Sequence, residues 1–201
     1  MEWIGPLITG CSSIVVAIIT VWVKSNMDSA REEKKKHDEE SVKTEDLGEM
    51  IYINDFLEQI RAEYNFDRVS ICQFHNGGKF FNGKSMKKFS MTYETTAPGI
   101  EKLKRKYQNI LVSEFPRLFS ALLEKDYHVI NDDTQKFPQL RREMQINGIT
   151  QAVKISIRGL KGDLIGFITC HMIGETDNLI GNYCESEFIE KANQISGYLM
   201  K

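Results

Sequence analysis

The chain has 201 residues, with 26 basic and 28 acidic side chains and a formal net charge of −2. This length suits one globular domain with attached segments, and the balanced charge gives no reason to expect a nucleic-acid partner. Hydrophobic residues are concentrated near the N-terminus and in the C-terminal two-thirds. The composition therefore predicts a short apolar segment, a polar connection and one folded domain.

Residues 1–24 are predicted to form a transmembrane anchor. No charged residue occurs from Trp3 to Val23, and this length is close to the ~20 residues that cross a hydrocarbon core. Tryptophans stand near both ends, where indole rings favour the membrane interface. The alternatives are a cleaved signal peptide, whose basic start and small-residue cleavage site are missing here, and a buried soluble helix. The residues expected within the membrane span are Leu7, Ile14, Val15, Ile18, Val21 and Trp22.

The charges that flank the apolar segment predict its orientation. No Lys or Arg precedes it, whereas Lys24, Arg31 and the basic residues 34–36 follow it closely. Because basic flanks stay on the cytoplasmic side, we expect a single-pass membrane protein with its N-terminus outside and its C-terminal domain in the cytoplasm. The three cysteines beyond this segment lack disulfide-framework spacing, which is typical of reduced thiols in a cytosol.

Residues 25–44 are predicted to be a charged tether or stalk, because they are rich in acids and bases and almost free of apolar side chains. The folded domain is expected at 45–201. Its first helix begins near Thr44, where apolar residues start to recur at helical spacing. Strands are predicted at Arg68–Phe74 and Met86–Thr95, joined by the turn-rich stretch HNGGKFFNGK with its two Asn-Gly pairs.

The rest of the chain predicts short helices and short strands. Helical spacing is found at Ser113–Lys125, Gln139–Gln145 and Ser186–Lys201. Strands are predicted at Tyr127–Ile130, Ala152–Ile157 and Leu164–Met172, the last two joined by a tight turn through Gly159 and Gly162. This order predicts an α+β fold: an antiparallel sheet with helices mainly on one face, against which the first and last helices pack side by side.

Several of these residues resemble the GAF family of small sensory domains. The matching run begins with the loop of His128–Phe137 (HVINDDTQKF) and continues with Gly148 and the hairpin Ala152–Met172. Within the hairpin, the sequence Leu-Ile-Gly at 164–166 and the dipeptide Cys170-His171 match the family pattern. The resemblance covers about 45–201 and implies a GAF-like fold. Members of the family bind cyclic nucleotides, bilins, haem or small metabolites, or only dimerise. The residues that mark cyclic-nucleotide binders and a bilin-attachment cysteine are not recognisable, so the cofactor stays unidentified. A short membrane-anchored chain with the sequence FHNGG also resembles proteins of tailed phages. This second resemblance implies a phage or bacterial origin.

The candidate ligand-binding residues lie in the turn-rich stretch, the acidic loop and the facing strands; they are His75, Asn76, Tyr93, Asp132, Asp133 and His171. Glycines beside His75 would let backbone approach a ligand, but a hairpin turn with a capping histidine is the favoured explanation. The carboxylates of Asp132 and Asp133 could serve in general acid–base catalysis or bind a divalent ion. The alternative is that the two residues belong to a loop with a purely structural role. Cys170 and His171 are adjacent on a strand and point to opposite faces, so they cannot act as a nucleophile–base pair.

The sequence contains no catalytic or metal-binding motif, so we predict a binding module and not an enzyme. The expected function is a membrane-anchored, cytoplasm-facing GAF-like module that binds a small molecule or a partner protein for sensing, with a homodimer as the default assembly. The alternative is a structural or interaction protein with a degenerate GAF fold, which tethers a partner at the inner membrane. A cavity well under ~300 Å³ favours that alternative.

Overall fold

The structure, a computed structural model, describes residues 20–29, 31, 44–80, 82–83, 85–131, 136–174 and 184–200. Residues 20–29 are helical, and Val21 and Trp22 are exposed there. Among the described residues, no helix has both the length and the apolar character needed to cross a bilayer. The predicted membrane residues Leu7, Ile14, Val15 and Ile18 lie outside the described residues.

Six antiparallel strands form one sheet in the order β3-β2-β1-β6-β5-β4. Their bounds are β1 Arg68–Lys79, β2 Ser85–Thr96, β3 Ile110–Leu111, β4 Tyr127–Asn131, β5 Ile149–Arg158 and β6 Leu164–Ile173. The two central strands, β1 and β6, pair from Arg68 opposite His171 to Gln73 opposite Gly166. The predicted hairpin of β5 and β6 is confirmed: Gly162 N–H donates to Gly159 O at 2.9 Å, and Gly162 has a φ of 77° that a glycine adopts freely.

Among the described residues of the domain, four α-helices and one 3-10 turn accompany the sheet. They are α1 Thr44–Glu63, the 3-10 turn Val112–Glu114, α2 Pro116–Glu124, α3 Pro138–Ile146 and α4 Glu185–Leu199. Proline starts α2 and α3, where its missing N–H costs no helical hydrogen bond. Asn65 follows α1 in the left-handed region with a φ of 54°, a conformation that commonly ends a helix and that asparagine tolerates.

The helices lie on both faces of the sheet, so the prediction of helices mainly on one face is wrong. On the first face α1 and α4 pack against β-strand residues that include Ile71, Val153 and Ile168. On the second face α2 and α3 cover Ala152, Phe167 and neighbouring strand residues. The physical reason is that β5 and β6 are buried on both sides along most of their length. A sheet whose central strands are apolar on both sides must be covered twice.

The stretch His75–Gly78 continues β1 and is not the predicted turn. His75 pairs with Lys88 and Asn76 with Lys87, after which the register shifts before Lys79 meets Ser85. Gly78 lies within this irregularity at a φ of 103°, a conformation that strains other residues. The chain therefore reverses after Lys79, at the second Asn-Gly pair.

Candidate functional site

A small cavity lies on the second face of the sheet, beneath α2 and α3. Its volume is about 50 Å³. Most of its wall is apolar and includes Phe89, Met91, Leu118, Met144 and Phe167. Its polar lining groups are Tyr107, Glu143, Lys154, Thr169 and His171. A mostly apolar enclosure with a few polar groups has the composition of a ligand site, although its volume is far below the ~300 Å³ at which drug-sized pockets begin.

A buried ion pair lies behind this cavity, at the start of β1. Arg68 Nε is 3.1 Å from Glu94 Oε1, and both side chains are almost fully buried. The Glu94 carboxylate also accepts the backbone N–H of Leu103 at 2.7 Å and of Lys104 at 2.9 Å. Arg68 Nη2 donates to Glu101 O at 2.6 Å. The pair therefore fixes the connection between β2 and β3 to the sheet, and Glu94 supplies the charge that a buried guanidinium needs.

The hydrogen-bonding partners of His171 determine its tautomer. Nδ1 is 3.3 Å from Arg68 Nη1. A guanidinium nitrogen can only donate a hydrogen bond, so Nδ1 of His171 is the acceptor. In the neutral ring Nε2 then carries the proton and donates to Thr169 Oγ1 at 3.0 Å. Burial holds the pKa of His171 well below its ordinary value, and the charges of Lys154 and Arg68 act in the same direction. The ring is therefore neutral near pH 7, and the Thr169 O–H hydrogen is not used by His171.

Lys154 is the most unusual group in the cavity. It stands on β5 directly opposite Thr169 on β6 and is only 6 % exposed. Its ammonium lies 5.5 Å from the centre of the Phe167 ring, and within the described part of the chain it has no carboxylate partner. Burial lowers the pKa of Lys154 to about 8; the neighbouring thiols of Cys72 and Cys170 oppose this shift and Arg68 adds to it. Burial therefore destabilises the charged form of this lysine, and about a tenth of its amine is neutral at pH 7, far more than in an exposed lysine.

A contact between the β2–β3 connection and α3 borders the cavity, whose lining includes Tyr107 and Glu143. Tyr107 Oη donates to Glu143 Oε2 at 2.6 Å, and Asn147 Nδ2 donates to Tyr107 Oη at 3.3 Å. Lys106 Nζ lies 3.6 Å from the same Glu143 oxygen. We call these four residues the roof clasp. Burial and the hydrogen bond to Glu143 raise the pKa of Tyr107, which keeps its hydroxyl protonated as the donor.

Of the predicted ligand-binding residues, His171 lines this cavity. His75 Nε2 lies 2.9 Å from Ser90 Oγ, and Asn76 Oδ1 accepts from Lys87 Nζ at 3.0 Å on the exposed part of the hairpin. Tyr93 packs against the core of the first face, so the structure does not bring it together with His171. Asp132 and Asp133 lie outside the described residues.

The cysteines do not add a nucleophile to the cavity. Cys170 lies in the core of the first face while His171 lines the cavity on the second, as the strand alternation predicts. Cys72 touches the cavity, and its burial raises the pKa of the thiol to about 12. Within the described ranges, no group of three or more His, Cys, Asp and Glu side chains is placed to hold a metal ion.

The sequence interpretation missed Arg68, Glu94, Lys154 and Thr169. One signal was available: Lys154 stands inside the otherwise apolar strand sequence AVKISI, where a charge on a covered face requires a reason. Its alternation with Ala152 and Ser156 places all three on the same side of β5. The other three residues are separated from it along the chain and become neighbours only through strand pairing.

No protein-family model matches the chain, and no curated protein is significantly similar to it in sequence. Solved structures do match. The chromophore-binding domain of Stigmatella aurantiaca bacteriophytochrome is 16% identical with a TM-score of 0.53, over 87% of this chain and 60% of that one. The phycoerythrobilin-bound GAF domain of a cyanobacterial phytochrome is 16% identical with a TM-score of 0.55, over 75% and 84%. The PixJ GAF domain of Thermosynechococcus elongatus is 14% identical with a TM-score of 0.55, over 80% and 89%.

At these identities the likeness establishes the fold, which is GAF-like. The chain spans three-fifths of the length of the bacteriophytochrome domain. Two of these proteins are chromophore- or bilin-binding by description. The cavity described above has a volume of about 50 Å³ in this structure.

Proposed function

We propose that this protein is a sensory module, anchored in a membrane and facing the cytoplasm, whose GAF-like domain binds a very small polar molecule. The observation that supports this is the buried Lys154 amine, which faces a cavity without a carboxylate partner among the described residues. A buried charge without a partner is costly, so a ligand that supplies the opposite charge is strongly favoured there. The membrane anchor and its orientation rest on the uncharged N-terminal segment and its basic flank.

The size of the cavity limits the ligand to a few non-hydrogen atoms. A volume of about 50 Å³ is a few times the ~10–15 Å³ that a cavity needs to hold one water. Small oxyanions such as formate, nitrite and bicarbonate are of this size. Their oxygens would accept hydrogen bonds from the Lys154 ammonium and the Thr169 hydroxyl, which face each other across the β5–β6 pair.

Binding would be transmitted through the roof clasp. Tyr107 and Glu143 both line the cavity and bond to each other, so a ligand that enters or expands the cavity acts on that hydrogen bond. The β2–β3 connection and α3 are the two segments that this bond joins. A change in their spacing is the simplest signal that the domain would pass to a partner.

The test is a titration of the full-length chain in detergent with formate, nitrite, acetate and bicarbonate, followed by calorimetry and thermal unfolding. We expect saturable stabilisation in the wild type that is lost in Lys154→Met and weakened in Thr169→Val. Lys161→Met is the matched control, because it removes an equal charge from an exposed position in the β5–β6 turn. Equal responses of Lys154→Met and the control would overturn the proposal. Carbonate extraction and protease protection of membranes from expressing cells test the anchor and its orientation.

The cavity volume supports a second candidate, an interaction protein whose GAF-like pocket is filled by its own side chains. A volume of 50 Å³ is well under the size that favours a ligand-binding domain of ordinary type. In that case no small molecule would stabilise the chain, and Lys154→Met would leave binding to a cellular partner unchanged. Light scattering of the detergent-solubilised chain tests the proposed homodimer in either case.

A further inference from the structure

We propose that the ligand of the cavity is carbon dioxide, which Lys154 captures covalently as a carbamate. This inference rests on the proposed function, because it names the ligand of the same cavity. The alternatives it competes with are a preformed oxyanion that binds without a covalent bond and an aldehyde that forms an imine.

The reaction requires a neutral amine that is accessible to a small molecule. The Lys154 nitrogen lone pair attacks the carbon of carbon dioxide, one carbon–oxygen π pair moves to oxygen, and the nitrogen releases one proton to solvent. The product is an N-carboxylated lysine and one proton, so no oxidant or reductant is involved. Because burial lowers the pKa of Lys154 to about 8, its neutral fraction at pH 7 exceeds that of an amine at the ordinary pKa of 10.4 by roughly 200-fold.

The cavity fits both the reactant and the product in size and polarity. Carbon dioxide is uncharged and has three atoms, so it passes the apolar wall of Phe89, Met91 and Leu118 without loss of a hydration shell. The carbamate adds those same three atoms to the lysine within a cavity of about 50 Å³. An aldehyde with more than three carbons would add more non-hydrogen atoms to this space than the carbamate does.

The charges around Lys154 favour a carbamate over an imine. Arg68 is close enough to lower the pKa of Lys154 by repulsion. A protonated imine would keep that positive charge, whereas a carbamate replaces it with a negative one, which Arg68 attracts. Among the described residues, Arg68 Nε has no hydrogen-bond partner, although it lies 3.1 Å from Glu94 Oε1.

Thr169 supplies the hydrogen bond that holds the carbamate. His171 already donates to the Thr169 oxygen, which leaves the hydroxyl hydrogen to point elsewhere. Thr169 lies opposite Lys154 in the strand register, and both line the cavity. Arg68, His171 and Thr169 therefore form a chain of donors that ends at the position of the carbamate oxygens.

The experiment incubates the full-length chain in detergent with ¹³C-labelled bicarbonate at pH 7.5. Carbon NMR and trialkyloxonium trapping with peptide mass spectrometry then detect the carbamate. We expect labelled carbamate on the peptide that contains Lys154, in excess over every other lysine peptide. The signal should be absent in Lys154→Met, reduced in Thr169→Val, and unchanged in Lys161→Met. Circular dichroism and thermal unfolding of each variant show whether a lost signal reflects lost folding.

The outcomes separate this inference from the proposed function. Stabilisation by formate or nitrite without a labelled carbamate would overturn carbon dioxide capture and leave the small-anion site intact. Absence of both carbamate and anion stabilisation would overturn both proposals. Label spread evenly over surface lysines, or a Thr169→Val signal equal to that of the wild type, would also contradict the inference.

Discussion

Replacing Lys154 with methionine should stabilise the folded domain near neutral pH. Methionine has a similar length and no charge, so it fits the apolar wall without the cost of burying an ammonium. The pKa of about 8 in the folded protein and the ordinary 10.4 of an unfolded lysine differ by about 2.4, which corresponds to about 3 kcal/mol of lost folding free energy.

This effect has a defined pH dependence. At and below pH 7 the amine is protonated in both folded and unfolded chains, so the folded state bears the full cost of the buried charge. Between pH 8 and 10.4 only the unfolded chain keeps the proton, and the cost of Lys154 disappears as pH rises. The raised pKa values of Cys72 and Cys170 act in the opposite direction above pH 9. Both proteins contain these two cysteines, so subtracting the unfolding free energy of the wild type from that of the variant removes most of their contribution.

The assay is urea unfolding of the full-length chain and of Lys154→Met in detergent, followed by circular dichroism from pH 6.5 to 10 in carbon-dioxide-free buffer. We expect the variant to be more stable by about 3 kcal/mol at pH 7, and this advantage should shrink steadily above pH 8. Lys161→Met should show neither effect. A variant that is less stable than wild type at pH 7, or an advantage that does not change with pH, would refute the reasoning about the buried charge.

Two substitutions and one labelling experiment test other parts of the structure. Gly166→Ala would place a Cβ 2.5 Å from Cys72 O across the central strand pair, so thermal unfolding should show a loss of about 1–3 kcal/mol or more; wild-type stability would contradict the described register. Glu94→Gln leaves the buried Arg68 charge uncompensated and should cost about 3–5 kcal/mol in urea unfolding; a neutral result would mean that the guanidinium is solvated. Iodoacetamide mapping by mass spectrometry should label Cys184 well before Cys72, because Cys184 is exposed and hydrogen bonds from Ser186 lower its pKa; equal rates would contradict this.

The sequence is sufficient to predict those elements whose signals are local. The β5–β6 hairpin follows from period-two alternation interrupted by Gly159 and Gly162, and both strands were found within a few residues of their bounds. The end of α1 at Asn65 and the proline start of α2 are also local signals. The distribution of helices over two faces was missed, because it depends on which side of the sheet a short amphipathic helix covers.

The candidate site was harder to predict because its parts meet only through strand pairing. Arg68 and His171 are 103 positions apart in the chain and become neighbours through the β1–β6 register. Lys154 and Thr169 face each other through the β5–β6 register. The turn-rich stretch at His75 drew attention through its glycines, yet these glycines serve an irregular strand pair and not the cavity.

The strand order has a consequence for how the domain forms during synthesis. The two strands at the centre of the sheet, β1 and β6, are the first and the last to leave the ribosome. Until β6 has been made, the backbone N–H and C=O groups on the inner edge of β1, from Arg68 to Gln73, have no strand partner. Such edges pair readily with other chains, and contacts between distant segments form slowly. The nascent chain should therefore be most prone to aggregation, and most dependent on chaperones, just before its C-terminal hairpin emerges.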